Sequence, residues 1–280
     1  MTQLKRALLD SELDELNRSI LSMGSLVDTA IGHAIESLMS VDIAQANAVI
    51  AGDAEINRLR FHIEERAYVI LATQQPMARD LRTVITAMHM AIEMERIGDH
   101  AAGIARIVTR LEGMPLPPLL LEAQAELREE AAAETPDESA DDENDDKAGI
   151  DEMALDSEVG NSGLALGDEA SSKRLKLARL PKMAKRARSM FNRAIAAYLE
   201  RDVEKAMAIV KRDRKLNRQY PKFFAEAMAE LSSQNVVEIP TYLLWIAHNL
   251  ERIGDRTTNM AERIVFMVTA QYTEVLEEYE

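Results

Sequence analysis

The pentapeptide Glu-Arg-Ile-Gly-Asp occurs twice, at Glu95–Asp99 and Glu251–Asp255, and each copy runs into a similar apolar stretch, HAAGIARIV and RTTNMAERIV. A weaker echo lies upstream of each: Asp53-Ala54-Glu55-Ile56-Asn57-Arg58 and Asp213-Arg214-Lys215-Leu216-Asn217-Arg218. Repetition at this distance means two copies of one structural unit. Whatever fold one half adopts, the other must adopt as well.

The unit is helical. Leu13, Leu16, Ile20, Met23, Val27, Ala30, Ala34 and Leu38 advance in steps of three and four, which puts them on one face of a helix. The same spacing predicts helices over 9–40, 43–73 and 77–111, then 174–200, 203–232 and 238–272. Breaks are expected at Val41-Asp42, Gln75-Pro76, Met114 to Pro118, Arg201-Asp202 and Ser232 to Asn235. Pro76 and Pro240 suit first-turn positions, where a missing N–H costs nothing, whereas Pro221 predicts a kink. Aromatics are only 4% of the chain, and Gly (11) and Pro (8) are scarce, which argues against the many turns of a sandwich or barrel. Long helices joined by short connections pack antiparallel. The expected fold is all-α, two tandem three-helix bundles.

Charge divides the chain further. Of the net −15, the segment Glu122 to Glu169 holds 18 acidic and 2 basic residues, a net of −16, so the rest of the chain is close to neutral. This stretch cannot bury enough apolar surface to offset the entropy of ordering, and it reads as a low-complexity linker. The expected organisation is a first repeat at 1–113, an acidic insert at 114–172 and a second repeat at 173–280. Lys173 to Arg193 then carries nine basic residues and no acid. A helix like this can meet nucleic acid, an anionic membrane surface or an acidic partner, unless the neighbouring insert screens it. We expect it to be screened, and nucleic acid not to be the principal partner.

There is no cysteine, which excludes disulfides, thiolate ligands and a cysteine nucleophile. No run of 18 apolar residues is present, and no signal-peptide pattern opens the sequence. The expected location is the cytoplasm, with peripheral attachment to the inner face of the membrane as the variant. No nucleophile elbow, P-loop, dinucleotide fingerprint or zincin motif occurs, so no catalytic residue is nominated and an enzyme is not expected.

The repeated acids carry the chemistry. Residues four apart share a helix face, so Glu95 with Asp99, and Glu251 with Asp255, present paired carboxylates. Like charges at this spacing cost a few tenths of a kcal/mol, and the intervening Gly98 and Gly254 about 0.5–1 kcal/mol more. In an antiparallel hairpin centred on Pro76, Asn57 falls opposite Glu95; centred on Gln234, Asn217 falls opposite Glu251. Each half thus gathers three carboxylates and an amide: Asp53, Asn57, Glu95 and Asp99, then Asp213, Asn217, Glu251 and Asp255. These hard oxygen donors suit Mg²⁺, Mn²⁺ or iron, and more than one ion can share them. Asp80, His248 and Asn259 are weaker candidates, since each lies near the same helix face as the acids. His33, His62, His89 and His100 are expected at ordinary surface or boundary positions, and Leu243 to Ala247 around Trp245 in the core.

The duplicated ERIGD, the Asp-xxx-Asn pairs, QPMARDLR at the intervening turn and SMGSLVDTAI near the start together resemble the PhoU family over about 1–113 and 174–275. The resemblance implies two three-helix bundles, often dimeric, with multinuclear metal clusters, iron or zinc among them, on the eight residues above. It implies a negative regulator of phosphate uptake and of the phosphate-starvation response. The implied partners are the ATPase subunit of a phosphate ABC transporter and a phosphate-sensing histidine kinase. The long acidic insert and the basic start of the fourth helix depart from the family pattern. Two other readings remain: a carboxylate-bridged metal enzyme of the helical-bundle type, and a binder of nucleic acid or membrane surface acting through the basic helix.

Overall fold

The computed structural model describes residues 3–114, 179–233 and 237–271. Six helices account for nearly all of them: α1 (Gln3–Ser40), α2 (Ile43–Gln74), α3 (Arg79–Arg110), α4 (Arg179–Glu200), α5 (Val203–Ser233) and α6 (Glu238–Thr269). No strand occurs among the described residues, so the all-α expectation holds. The acidic insert lies almost wholly outside the described residues.

The short turns repeat along with the helices. Val41 and Arg201 both adopt left-handed backbone, at φ 52 and 55. The following aspartates then cap the next helix, Asp42 Oδ1 accepting from the Gln45 amide at 2.9 Å and Asp202 Oδ1 from the Lys205 amide at 3.0 Å. Helix α1 starts at Gln3, six residues before the expected start at 9. Pro76 is not in the first turn of α3. It is buried in the α2–α3 connection, between Gln75 and Ala78, which both take positive φ (49 and 47), and α3 begins only at Arg79. Pro240 does sit in the first turn of α6. Helix α5 continues through Pro221, so the carbonyl of Asn217 has no N–H donor four residues on.

The α1 stripe is buried as its spacing predicts, except that Ala30 is only partly covered. The outcome around Trp245 differs: Leu243, Ile246 and Ala247 are buried, but Trp245 is 49% exposed and packs edge-on against Tyr242, with ring centroids 6.1 Å apart. On an α-helix a five-residue tract spans more than a full turn. One of its members must therefore point away from the core.

Helices α1–α3 form one bundle and α4–α6 the other, and α3 lies along α6 while α1 meets α4. A single hydrophobic cluster runs through both. The α3–α6 seam is antiparallel: Arg82 Nε donates to the Met267 carbonyl at 3.1 Å near one end, and His100 Nδ1 meets Asn249 Oδ1 at 3.0 Å near the other. An approximate two-fold relates the halves. Glu93 is ion-paired with Arg256 at 3.6 Å, and the positions equivalent to these two are Asn249 and His100, which also pair. Across α1 and α4, Asp28 faces Arg188, its own counterpart, through two bonds of 2.8 and 2.9 Å. Among the described residues, no helix is long and apolar enough to cross a membrane.

Candidate metal centre

The two hairpins take the register that the repeat predicts. A Cβ built on Gly98 would lie 3.6 Å from Asp53 Oδ1 and 3.0 Å from Ile56 Cδ1. One on Gly254 would lie 2.8 Å from Asp213 Oδ1 and 2.5 Å from Leu216 Cδ2. The glycines inside ERIGD therefore have a steric reason. They let the aspartate of the neighbouring helix settle against α3 or α6, which explains why two helix interiors accept a poor helix former.

In the first half, Asn57 Nδ2 donates to Asp53 Oδ2 at 3.3 Å, leaving Asp53 Oδ1 buried with no hydrogen-bond partner. Burial and the Asp99 carboxylate push Asp53 above the usual carboxylate range. Glu95 is pushed up as well, by burial, then Asp99, with Asp53 adding to it and Arg60 and Arg96 opposing. Arg96 does not pair with Glu95 or Asp99; it donates to Glu93 at 3.2 Å. Asp99 itself is exposed.

The second half is more deeply set. Asn217 Nδ2 donates to Asp213 Oδ2 at 3.1 Å, and both Asp213 Oδ1 and Asn217 Oδ1 are buried without partners. Burial first, then Asp255 and more weakly Glu251, push Asp213 up to about 6. Thr258 stands beside Asp213, but its hydroxyl is not aligned for a hydrogen bond. Arg252 takes Asp255 at 2.7 Å, and His248 Nδ1 meets Glu251 Oε2 at 3.1 Å.

Within each half the carboxylates thus act on one another across the hairpin, while Asn57 and Asn217 are bonded to the aspartates of their own helices. Of the weaker three, His248 joins the second set through Glu251. Asp80 does not join the first: it forms an ion pair with Arg6 at 2.6 Å. Fifteen residues separate it from Glu95, about 22 Å along the axis, so a shared helix face does not bring the two together. Asn259 turns into the seam, its Nδ2 donating to Glu93 Oε2 at 3.4 Å. His33 and His62 are exposed, His89 is partly covered, and His100 is a seam residue. Thr258 was not singled out in the sequence; its four-residue step from Gly254 was the available signal.

Among the described residues, no three carboxylates or imidazoles close into a ready-made metal cage. The donor chemistry nonetheless fits a cation. Buried oxygens that accept no hydrogen bond are costly, and adjacent carboxylates driven toward protonation lack positive charge. Asp53, Asn57, Glu95 and Asp99 would hold such an ion in one half, and Asp213, Asn217, Glu251 and Asp255 in the other.

A duplicated helical hairpin with opposed Asp-xxx-Asn and Glu-xxx-Asp rows defines a class of two-bundle, acid-bearing helical protein. The PhoU domain model matches this chain twice, over residues 20–108 and 180–264, and the chain belongs to that family. A phosphate-specific transport system accessory protein PhoU homolog of Clostridium acetobutylicum is 27% identical over 274 residues, covering 97% of this chain and 99% of that protein. A PhoU homolog of the same description from Rhizobium meliloti is 28% identical over 263 residues, covering 93% of this chain and 86% of its own. The crystal structure of the phosphate transport system regulatory protein PhoU from Streptococcus pneumoniae superposes with a TM-score of 0.71 at 25% identity, covering 95% of this chain and 100% of that one.

Proposed function

We propose that this protein is a metal-loaded regulatory adaptor of phosphate transport, acting in the cytoplasm as a homodimer. It restrains uptake and starvation signalling when phosphate is plentiful. The observation that carries the metal part is the pair of opposed acid rows, with Asp53 Oδ1, Asp213 Oδ1 and Asn217 Oδ1 buried and unpartnered. Iron, zinc, manganese or magnesium bound there would neutralise the carboxylates and tie α2 to α3 and α5 to α6. The regulatory part is supported by the match to transport accessory and regulatory proteins over nearly their full length. Its partners in this reading are the ATPase subunit of a phosphate ABC transporter and a phosphate-sensing histidine kinase.

The test has two arms. Elemental analysis of protein purified without added metal should find ions that Glu95→Ala/Asp99→Ala and Glu251→Ala/Asp255→Ala each partly remove. Affinity capture from phosphate-replete cells should recover the transporter ATPase or the kinase, and recover less of them from starved cells. Metal-free parent protein, or variants that keep the parent's full metal content, would refute the first half of the reading. Capture that ignores phosphate status would refute the second.

A further inference from the structure

A cleft of about 480 Å³ opens at the end of the molecule where the start of α1, the α2–α3 connection and the α4–α5 turn converge. Three arginines from three separate elements line it: Arg6, Arg79 and Arg201. They are not equivalent. Arg6 is committed, holding Asp10 at 2.7 Å and Asp80 at 2.6 Å. Arg201 has only the Thr83 hydroxyl, at 3.1 Å, and no carboxylate partner among the described residues. The Arg79 guanidinium has no hydrogen-bond or ion-pair partner among them; only its carbonyl is engaged, accepting from the Thr83 hydroxyl at 3.1 Å. The two guanidiniums oppose each other: burial and then the charge of Arg79 lower the pKa of Arg201, with Tyr198 and Asp80 opposing.

The turn does not explain Arg201. Its counterpart in the first repeat is Val41, which makes the same left-handed turn at φ 52 and tucks against the core. A cation at 201 therefore serves something that the turn geometry does not require. Ala78 is held at φ 47 and ψ −109 just before Arg79, a conformation rare for an alanine and of the strained kind found at binding sites. On the α1 side, Asn17 Oδ1 accepts from the buried Tyr198 hydroxyl at 2.8 Å, which fixes the amide and leaves its Nδ2 as a donor. Asp14 lines the cleft beside them, and so do Asp10 and Asp80, the two carboxylates that Arg6 holds.

We propose that this cleft binds inorganic phosphate as hydrogen phosphate. Guanidinium forks match the oxygens of a tetrahedral oxyanion, and Arg79 and Arg201, which form no ion pair among the described residues, are the two that can turn to it. Asp14 sets the selectivity. A carboxylate only accepts hydrogen bonds, so it repels a fully deprotonated oxyanion such as sulfate and welcomes one that still carries a P–OH. Inorganic phosphate near neutral pH keeps at least one P–OH. A phosphate monoester, as in a lipid headgroup, has largely lost it at pH 7, its second pKa being about 6. The site rests on the cleft alone and is independent of the metal and regulatory readings above.

Titration calorimetry on the full-length protein tests this with inorganic phosphate, sulfate and glycerol 3-phosphate as probes. Phosphate should bind saturably, with sulfate and the ester at least tenfold weaker. Arg79→Gln/Arg201→Gln should weaken phosphate at least tenfold with the helical circular dichroism unchanged, and Asp14→Asn should narrow the gap between phosphate and sulfate. Should the double variant fail to fold, Arg79→Lys keeps the charge, loses the fork and should still weaken phosphate several-fold. Glu95→Gln/Asp99→Gln/Glu251→Gln/Asp255→Gln should bind phosphate as the parent does. Loss of binding in that variant would place the anion on the acid rows and overturn the proposal. So would equal affinity for phosphate and sulfate, or undiminished binding by the folded Arg79/Arg201 variant.

Discussion

Asp213 and Gly254 approach so closely across α5 and α6 that a methyl group on the glycine would stand 2.8 Å from the unpartnered carboxylate oxygen. Gly254→Ala should therefore displace Asp213 and Leu216 together and cost about 1–3 kcal/mol, as overpacking of a core does. At Gly98 the nearest atom is the flexible end of Ile56, at 3.0 Å, so Gly98→Ala should cost less. Denaturant unfolding of the two variants checks the order, and equal losses would contradict it.

In the metal-loaded reading proposed above, the halves hold separate ligand sets. Glu95→Ala/Asp99→Ala should thus lower metal content by the share of the first bundle and leave that of the second. Elemental analysis of the variant beside the parent reads this directly. Unchanged content would remove Glu95 and Asp99 from the ligand assignment.

Asp213 is raised from an ordinary 3.8 to about 6 in the folded protein. A raised group contributes stability below its unfolded pKa and loses it as pH rises through the folded value. Metal-free protein should accordingly gain stability from this residue between about pH 7 and pH 4, while metal binding by the second bundle should weaken below about pH 6. Asp213→Asn should raise the metal-free Tm at pH 7.5, by roughly 2–4 °C if about 1 kcal/mol is relieved, and flatten its pH dependence. Thermal unfolding of chelator-treated protein from pH 4.5 to 8 measures both effects. A lower Tm for Asp213→Asn at pH 7.5 would show that the carboxylate is not strained.

Asp28 behaves in the opposite way. The Arg188 fork, with Asn192 adding a bond at 2.9 Å, holds it below the usual carboxylate range despite burial. Its contribution is complete above the ordinary aspartate pKa and fades as pH falls through the lowered one. Arg188→Ala should destabilise the protein by about 1 kcal/mol, since the pair is only partly covered and solvent screens it. The difference between variant and parent should shrink in the acid range. A difference that stays constant from pH 7 down to pH 3 would assign the loss to packing instead.

The sequence carried the fold because its strongest signals are local or repeated. Helical spacing, the breaks at Val41-Asp42 and Arg201-Asp202 and the doubled ERIGD each act within a few turns, and the hairpin register follows from symmetry about Pro76 and Gln234. The acid rows could be placed opposite one another for the same reason. Contacts made at a distance were not legible. Asp80 shares a face with Glu95, yet the decisive fact is an arginine 74 positions upstream that folding brings alongside it. Asn259 continues the ExxxD stripe, yet it answers to Glu93 in the other bundle. Trp245 looked like core because its neighbours are apolar, and helix phase alone puts it outside. The open cleft was missed although one signal was available: an arginine at 201 where the first repeat has Val41.

The ion pair between Asp28 and Arg188 joins equivalent positions across the approximate two-fold, and this governs what each half would do on its own. A self-association of the first half in the same geometry would set Asp28 against Asp28. Two copies of the second would set Arg188 against Arg188. Opposite charges at the axis penalise both like pairings and favour only the mixed one. Cut within the insert and co-expressed, the two fragments should pair with each other in preference to themselves, by a margin set by this one partly exposed pair. Two halves alike in fold are thus complementary in charge where they meet, and a copy of either is a poorer partner for it than the other.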